Sequence, residues 1–324
     1  MITMREISKS FRVSRRKAGF AAAAKALFHK EYDVVQALDR VSFTIGDGEM
    51  VGYIGPNGAG KSSTIKIMSG ILTPDSGQCV INGRVPWKNR VEHVREIGVV
   101  FGQRSQLWWD VPVADSFELL RDIYQVPEQT YRHNVEELTE LLDLSTLLRT
   151  PTRQLSLGQR MRCEIAASLL HGPKVLFLDE PTIGLDAVSK LAVREFIKRL
   201  NREKKTTVIL TTHDMQDIEA LASRILLIGR GRILMDGDLQ TLKKENTVYK
   251  TLTVEYSGGQ LPQLAGATVQ QSRPGRATLR LDVGVLPVPE AIAAISRQVG
   301  VTDLSVTGGS VDDLVVSLYQ KYHI

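Results

Sequence analysis

The sequence predicts an α/β fold, with a mainly parallel sheet that carries helices on both faces, followed by a small α+β domain. Short apolar strands alternate with amphipathic helices before residue 245, a pattern typical of parallel sheets covered by helices. A helix-rich stretch, about residues 104–170, interrupts this alternation and is expected to form a helical subdomain. After residue 245 the strands alternate between apolar and polar residues. We therefore expect two domains, residues 1–245 and 246–324.

The composition is that of a globular protein without secretion signals. The chain has 324 residues, of which 43% are hydrophobic and 24% charged, which suits one large domain and one smaller domain. Its two cysteines, Cys79 and Cys163, lie far apart in the sequence, which argues against a disulfide framework and fits a reducing compartment. The N-terminus lacks the apolar core of a signal peptide, and no apolar run reaches the roughly 18 residues of a membrane span.

The net charge of +5 is concentrated in one short segment. Residues 9–30 contain seven basic side chains and no acidic one. A nucleic-acid-binding domain usually shows a broader basic surface. We therefore expect no nucleic-acid partner.

A phosphate-binding loop is predicted directly after the first strand that is apolar throughout, residues 50–54. The stretch "GPNGAGKSS" fits the pattern G-x-x-x-x-G-K-[ST] and opens a helix at about Lys61, the context that this motif requires. Its backbone N–H groups are expected to surround phosphates, its lysine to add a positive charge, and Ser62 to bind Mg²⁺. The predicted phosphate-binding residues are Gly55, Pro56, Asn57, Gly58, Ala59, Gly60, Lys61, Ser62 and Ser63.

Acidic and polar side chains follow three other apolar strands. Asp179 and Glu180 end "KVLFLDE", His213 ends "VILTTH", and Gln103 follows "IGVVF". Because parallel strands present their carboxyl ends at one edge of the sheet, we expect these side chains to lie beside the phosphates. Asp179 suits a magnesium contact, and Glu180 is placed to polarise an attacking water.

A second helix start suited to an anion lies about a hundred residues after the loop. "LSLGQ", residues 155–159, reads as a polar turn that runs into an amphipathic helix. The free N–H groups of a helix start favour negative charge.

Taken in order, "GPNGAGKSS", Gln103, "LSLGQ", "VLFLDE", "GLD" (184–186) and His213 resemble the nucleotide-binding domain of ABC transporters. The resemblance covers about residues 1–245. It implies a P-loop NTPase core, an antiparallel β subdomain and a helical subdomain, with ATP and Mg²⁺ as cofactors. It also implies a second ATPase subunit, either identical or closely related, with two ATP molecules between the two chains.

The resemblance assigns roles to the matching residues. Ser62, Gln103 and Asp179 would hold the metal ion. Glu180, Gln103 and His213 would be the catalytic residues. The signature turn of Ser156, Gly158 and Gln159 would close on the partner's ATP, and Asp186 would link the two active sites.

Two features depart from the family pattern. Leu157 stands where the signature usually has its first glycine. The aromatic residue that usually stacks on adenine is either Phe11, by its place at the end of the first strand, or Tyr32, by its distance to the next strand. We favour Phe11.

A basic insertion, about residues 12–31, separates these two aromatic residues. Its apolar and basic residues predict a short amphipathic helix over residues 19–30, suited to anionic headgroups or to a partner's loops. A solvated surface excursion is the alternative. Trp108 and Trp109 are expected either in the core of the helical subdomain or as anchors for a permease.

The C-terminal sequence resembles the ending of drug-exporter ATPases of the daunorubicin-resistance type. The stretches "GQRSQLWWD" (102–110) and "LSLGQRMRCE" (155–164) resemble a bacterial exporter subgroup that includes viologen exporters. These resemblances imply an ATPase that drives a separate transmembrane permease of a bacterial exporter, at the cytoplasmic face of the inner membrane. A soluble ABC ATPase outside transport is the first alternative, and a catalytically silent regulatory cassette is the second.

Overall fold

The computed structural model describes residues 1–14, 32–102, 104–246, 249–308 and 311–324. They form two compact units, Met1–Gly237 and Asp238–Ile324. The helix Leu239–Asn246 belongs to the second unit, whereas the domain boundary predicted from the sequence lies at residue 245. The helix predicted over residues 19–30 lies outside the described residues.

The first unit contains nine described strands, which form two sheets. They are β1 Ile2–Ser14, β2 Tyr32–Ile45, β3 Met50–Ile54, β4 Ser76–Ile81, β5 Ile97–Phe101, β6 Val175–Asp179, β7 Thr207–Thr211, β8 Arg224–Gly229 and β9 Arg232–Asp238. The larger sheet has the order β5-β6-β7-β3-β8-β9, and its strands from β5 to β8 run parallel. The predicted α/β class with a mainly parallel sheet is therefore confirmed.

The described helices of the first unit connect these strands. They are α1 Lys61–Met68, α2 Arg90–Val94, α3 Val113–Tyr124, α4 Glu128–Leu142, α5 Leu157–Leu169, α6 Ala187–Lys204 and α7 Met215–Leu221. Helices α3, α4 and α5 lie between β5 and β6 in the chain, where the helical subdomain is predicted. The strands β3, β6 and β7 have apolar central residues, as is typical of a parallel sheet whose two faces are covered by helices. Each of these strands is buried along almost its whole length.

The smaller sheet has the order β2-β1-β4 and is antiparallel. Strand β1 continues to Ser14. Phe11 therefore lies inside the strand, and the prediction that it stands at the end of the strand is wrong. The stretch 41–57 predicts two strands joined by the turn "GDG", but the first of them, β2, already begins at Tyr32. The cause is the pairing of Ser10 to Ser14 with residues 32–36, which extends β1 into the segment predicted as the insertion and starts β2 directly after that segment.

The second unit is an antiparallel sheet with helices. Its elements are α8 Leu239–Asn246, β10 Tyr249–Ser257, β11 Ala267–Arg273, β12 Arg276–Asp282, α9 Val288–Ser296, β13 Gly300–Thr307 and α10 Val311–Tyr322. The strand order is β11-β12-β10-β13. Alternate side chains of β10 and β12 form a core with α9, in which Leu252, Leu279 and Ile295 are buried.

Within the described parts of the chain, no helix combines the length and the apolar character needed to cross a bilayer.

Candidate functional site

The loop between β3 and α1 forms the base of the site. Gly60 has a φ of 113° and precedes the first helical residue, Lys61. A Cβ at Gly60 would stand 2.6 Å from the carbonyl oxygen of Ala37, so only glycine fits this turn. Helix α1 has no side-chain cap, and its first N–H groups point toward a ligand position at the helix start.

The lysine of the loop is folded back over it. The Lys61 ammonium donates hydrogen bonds to the carbonyl oxygens of Gly55 (2.6 Å) and Pro56 (3.1 Å). Burial lowers the pKa of Lys61, and the carboxylates of Glu180 and Asp179 act in the opposite direction. Phosphate at this position would favour the charged form of the ammonium group. The loop therefore holds its cation in place before any anion binds.

Asp179 connects the loop to the edge of the sheet. Its Oδ2 accepts a hydrogen bond from the Ser62 hydroxyl at 3.3 Å, and its Oδ1 accepts one from the Thr211 hydroxyl at the end of β7. Ser62, Asp179 and Glu180 line a cavity of about 270 Å³ together with Gly102 and four other residues, Lys66, Ile71, Phe101 and Arg104. The phosphate-binding loop and the two acidic residues at the end of β6, Asp179 and Glu180, therefore lie together at this edge of the sheet, as the sequence predicts.

Ser62 and Asp179 fit a magnesium ion. Magnesium takes oxygen ligands, keeps several waters and is usually held by one or two protein oxygens plus substrate phosphates. The hydroxyl and carboxylate lie within hydrogen-bond distance of each other and face the cavity. Gln103, the other predicted metal ligand, lies outside the described residues, although its neighbour Gly102 donates its N–H to the Asp179 carbonyl at 2.8 Å.

Glu180 and His213 form a pair at the same edge. The distance from His213 Nε2 to Glu180 Oε1 is 2.8 Å. Glu180 has a φ of 57°, a left-handed conformation that is uncommon for a side-chain-bearing residue. Its backbone N–H donates to the Thr211 carbonyl at 2.9 Å, which fixes the residue against β7. A carboxylate held in this way is arranged to orient a water molecule.

The two candidate aromatic residues lie on the β1–β2 hairpin. Phe11 pairs with Val35 and Tyr32 pairs with Ser14. The hairpin approaches Gly60 with the carbonyl oxygen of Ala37 and with the side chain of Leu38. Since a strand rises roughly 3.3 Å per residue, Tyr32 lies about 16 Å along β2 from Ala37, and the Phe11 pair lies only about 7 Å away. Phe11 remains the favoured candidate for the adenine contact.

The signature turn is a closed helix cap. Ser156 is the N-cap of α5, and its hydroxyl accepts the N–H of Gln159 at 3.2 Å. The Gln159 side chain accepts the N–H of Ser156 at 2.9 Å. This reciprocal pair is a capping box, which satisfies two of the free N–H groups of a helix start. Among the described residues that line the 270 Å³ cavity, none belongs to this turn.

The signature turn instead contacts the turn around Asp186. Asp186 caps α6 by accepting the N–H and hydroxyl of Ser189, both at 2.9 Å, and the Ser189 N–H holds the pKa of Asp186 below its usual value. A Cβ on Gly158 would stand 2.5 Å from the Ser189 hydroxyl. Leu157 Cδ2 lies 2.7 Å from the corresponding position on Gly184, whose φ is +70°. The bulky Leu157 therefore rests on a position where only glycine fits.

Sequence reasoning missed Thr211 as a partner of Asp179. Pairing of the two predicted strands that end at Asp179 and Thr211 would have indicated this contact, because β6 and β7 place these residues opposite each other. Lys66 and Arg104, two cations at the cavity, were also missed. Lys66 follows Ser62 by one helical turn, and Arg104 follows Gln103 directly, so both could have been found from their spacing.

Comparison with known proteins identifies the class to which this fold and site belong. The family model described as "ABC transporter" matches residues 38–183. A dimeric ATP-binding cassette, MJ0796, whose structure is in a post-hydrolysis state with ADP and phosphate, superposes with a TM-score of 0.62 at 25% identity, covering 74% of this chain and 99% of that one.

Two curated relatives describe the range within that class. A daunorubicin resistance ATP-binding protein, DrrA3 of Streptomyces coeruleorubidus, is 33% identical over 75% of this chain and 78% of its own length. A probable sulfate/thiosulfate import ATP-binding protein, CysA of Chlorella vulgaris, is 34% identical over 67% of this chain and 92% of its own.

The chain belongs to the ABC transporter family and contains its ATP-binding domain. Members of this family bind ATP with Mg²⁺, and ATP hydrolysis is the activity of this domain. The predicted family, fold and cofactors are thereby confirmed.

Proposed function

We propose that this chain is the ATP-hydrolysing subunit of a bacterial ABC exporter, which drives a separate transmembrane permease through ATP-dependent dimerisation. The observation that carries the proposal is the meeting of three groups at one sheet edge. These are the Lys61 ammonium on its loop, the Ser62–Asp179 pair and the Glu180–His213 pair. Phosphate binding, metal binding and water activation thus have separate residues.

In the proposed reaction, Lys61 and the loop N–H groups bind the β- and γ-phosphates. A bound magnesium ion, held by Ser62, Asp179 and Gln103, would neutralise charge on the phosphates. Glu180 orients and polarises the water that attacks the γ-phosphate, and His213 donates to the γ-phosphate from the neighbouring strand end. Phosphoryl transfer depends mainly on such positioning and on charge stabilisation.

The proposed dimer explains why one chain has two anion-suited helix starts. The signature turn of Ser156, Gly158 and Gln159 would close on the γ-phosphate bound to Lys61 of the partner, so that two ATP molecules lie between two subunits. The dimeric state of the cassette MJ0796 supports this arrangement. Asp186, which lies beside Gly158, would then lie close to both active sites.

The proposed permease contact uses the segment after Gln103. Trp108 and Trp109 are 43% and 53% exposed, which favours the interface role over the core role. Arg160 lies over the ring of Trp109, 5.9 Å from its centroid. Exposed tryptophans beside an arginine are frequent anchors of protein interfaces.

The direction of transport is proposed as export from the cytoplasmic face of the inner membrane. The daunorubicin resistance relative matches a larger share of the chain than the import relative does, 75% against 67%. Both directions occur among the relatives, and the wider match favours export. The basic segment, residues 9–30, would lie close to the membrane surface or to a permease loop.

The test is to purify the chain with its co-encoded permease and reconstitute the complex in vesicles. ATP turnover is measured with a panel of cationic drugs, anions and buffer alone, and transport is followed in vesicles with the ATPase facing outward. We expect turnover to rise with the transported class and that class to accumulate inside, which corresponds to export. The complex carrying Glu180→Gln is the control and should show neither effect.

Two results would contradict the proposal. ATP-driven loss of a preloaded compound from the same vesicles would reverse the direction to import. ATP turnover with no permease association at any nucleotide state would favour an ABC ATPase that works outside transport.

A further inference from the structure

A buried carboxylate outside the family motifs lies behind the Glu180–His213 pair. Asp217, on α7, is 0% exposed, and its partner Arg194, on α6, is 8% exposed. Arg194 Nε donates to Asp217 Oδ1 at 2.6 Å, and Nη2 forms an ion-pair contact with the same oxygen at 2.5 Å. Removing a carboxylate from water is costly, so a site of this kind needs several strong partners.

The second oxygen of this carboxylate has two such partners. Asp217 Oδ2 accepts the hydroxyl of Thr182 and, at 3.3 Å, that of Thr212. Both threonines are buried. One carboxylate thus joins helix α6, helix α7 and the segments that follow β6 and β7.

The two threonines adjoin the two residues of the proposed hydrolytic pair. Thr182 follows Glu180 by two residues, with Pro181 between them, and Thr212 directly precedes His213. The N–H of Ile183 donates to the Glu180 carbonyl at 3.3 Å, so the Glu180 segment is a compact turn. Holding Thr182 and Thr212 on one oxygen therefore sets the separation of the Glu180 and His213 backbones.

A second ion pair supports the same arrangement from the other side of His213. Lys190 Nζ, on α6, donates to Asp214 Oδ2 at 2.5 Å, and Asp214 caps α7 through the N–H of Gln216. Helix α6 is the helix that Asp186 caps. The residues on either side of His213 are thus tied to the helix that starts at the Asp186 turn.

We propose that Asp217 is a positioning residue for ATP hydrolysis, which holds Glu180 and His213 in register through Thr182 and Thr212 and ties both to α6 through Arg194. The proposal rests on the hydrolytic function proposed for this site. Asp217 contacts no substrate atom. Its effect is on the orientation of the attacking water, so its loss lowers kcat and leaves ATP binding at the Lys61 loop unchanged.

The first test removes one tether without removing a charge. Thr182→Val keeps the side-chain volume and deletes the hydroxyl that Asp217 accepts. Because small misplacements of reacting groups are costly, we expect kcat for ATP to fall about tenfold, with KM within about twofold of the wild-type value. Thr182→Ser restores the hydroxyl and should return kcat close to the wild-type level.

Thr139→Val is the matched control. The Thr139 hydroxyl oxygen on α4 is buried and has no hydrogen-bond partner among the described residues, and Thr139 lies outside the site. We expect wild-type kcat and KM from this variant. Asp217→Asn, measured in parallel, should lower both kcat and the midpoint of thermal unfolding, because it leaves the buried Arg194 without its counter-ion.

The outcomes separate this proposal from the one on which it rests. A wild-type chain that does not hydrolyse ATP overturns both. An active wild-type chain with Thr182→Val equally active overturns the positioning role alone, whatever the stability of Asp217→Asn. A Thr182→Ser variant as slow as Thr182→Val would also overturn it, because the hydroxyl would then not be the cause.

Discussion

The chain has two helix starts that suit an anion, and they differ in how complete they are. Helix α1 begins after Gly60 without a side-chain cap, and a lysine, a hydroxyl and two carboxylates lie around it. Helix α5 begins with Ser156, whose hydroxyl already accepts the N–H of Gln159. The start of α1 is surrounded by groups suited to a phosphate and a metal ion. At the start of α5, a free N–H group of the helix already has a partner within its own turn.

This difference indicates which groups each helix start lacks for binding a nucleotide. In the proposed reaction, the α1 start needs only the nucleotide, because its own chain supplies the cation, the metal ligands and the carboxylate that polarises water. At α5, the Ser156 hydroxyl oxygen accepts the Gln159 N–H, and because a hydroxyl is both an acceptor and a donor, its O–H can still donate to a phosphate. A nucleotide brought by the partner can therefore be contacted with the capping box intact.

The largest effect is expected at the complete site. Glu180→Gln removes the carboxylate that polarises water while keeping its shape, and a general base contributes about 10²–10⁴-fold. We expect turnover to fall by about that factor while ATP still binds, so that an ATP-bound dimer accumulates. Single-turnover hydrolysis and gel filtration with ATP measure both effects. Glu136→Gln, on the exposed face of α4, is the control, and wild-type turnover by Glu180→Gln would remove Glu180 from its role.

The next effect concerns the cation of the complete site. Lys61→Ala removes a charged donor that is worth about 1.5–3 kcal/mol. This corresponds to a loss of about tenfold to a hundredfold in ATP affinity, measurable with a fluorescent ATP analogue. Lys250→Ala, an exposed lysine in the second unit, should bind as the wild type does. Equal affinity for Lys61→Ala and wild type would contradict the assignment of the loop.

The third effect concerns the start of α5, which is capped by its own Ser156. Ser156→Arg places a bulky cation where the partner's γ-phosphate is expected and breaks the capping box. A lost N-cap costs about 1 kcal/mol of helix stability, which the core of the first unit tolerates. We expect unchanged nucleotide binding by the monomer and no ATP-driven dimer in analytical ultracentrifugation. Glu136→Gln changes the net charge by the same +1 and is the control, and a normal dimer from Ser156→Arg would show that this turn does not meet the partner.

The smallest effect is expected at Leu157. Leu157→Gly removes the side chain that rests on Gly184 and brings the turn to the family's usual residue. Glycine in a helix costs about 1 kcal/mol relative to alanine, so the unfolding midpoint should drop slightly. We expect the smaller residue to admit the partner more closely and to tighten ATP-driven dimerisation by less than about tenfold. A weaker dimer would indicate that Leu157 itself contacts the partner.

The sequence predicted the complete site more successfully than its surroundings. The start of α1 at Lys61 and the end of β6 at Asp179 follow from apolar runs bounded by glycine, lysine and acids, which are local signals. Parallel pairing then brings Asp179 and the end of β7 together. The position of Ser156 at a helix start was also local, because Ser, Gly and Gln are capping residues.

Contacts between distant residues were not predictable in the same way. The pairing that lengthens β1 and β2 joins residues 10–14 to residues 32–36, where no periodic pattern marks the strand. Arg194 lies in the middle of α6 and Asp217 in the first turn of α7, and both look like surface residues in the sequence. Their burial depends on how α6 and α7 pack, which a single sequence does not reveal. Strand β11 was missed for a related reason, since most of its side chains are polar and exposed.

The tryptophan beside the signature helix has a practical consequence for spectroscopy. The chain has three tryptophans, of which Trp87 packs against the core and Trp108 and Trp109 are exposed. Arg160 lies over Trp109 and belongs to the first turn of α5. Closure of a partner subunit on that turn would change the surroundings of the indole ring. With Trp108 replaced by phenylalanine, intrinsic emission at Trp109 becomes an optical signal for assembly, free of dye and readable in a stopped-flow instrument.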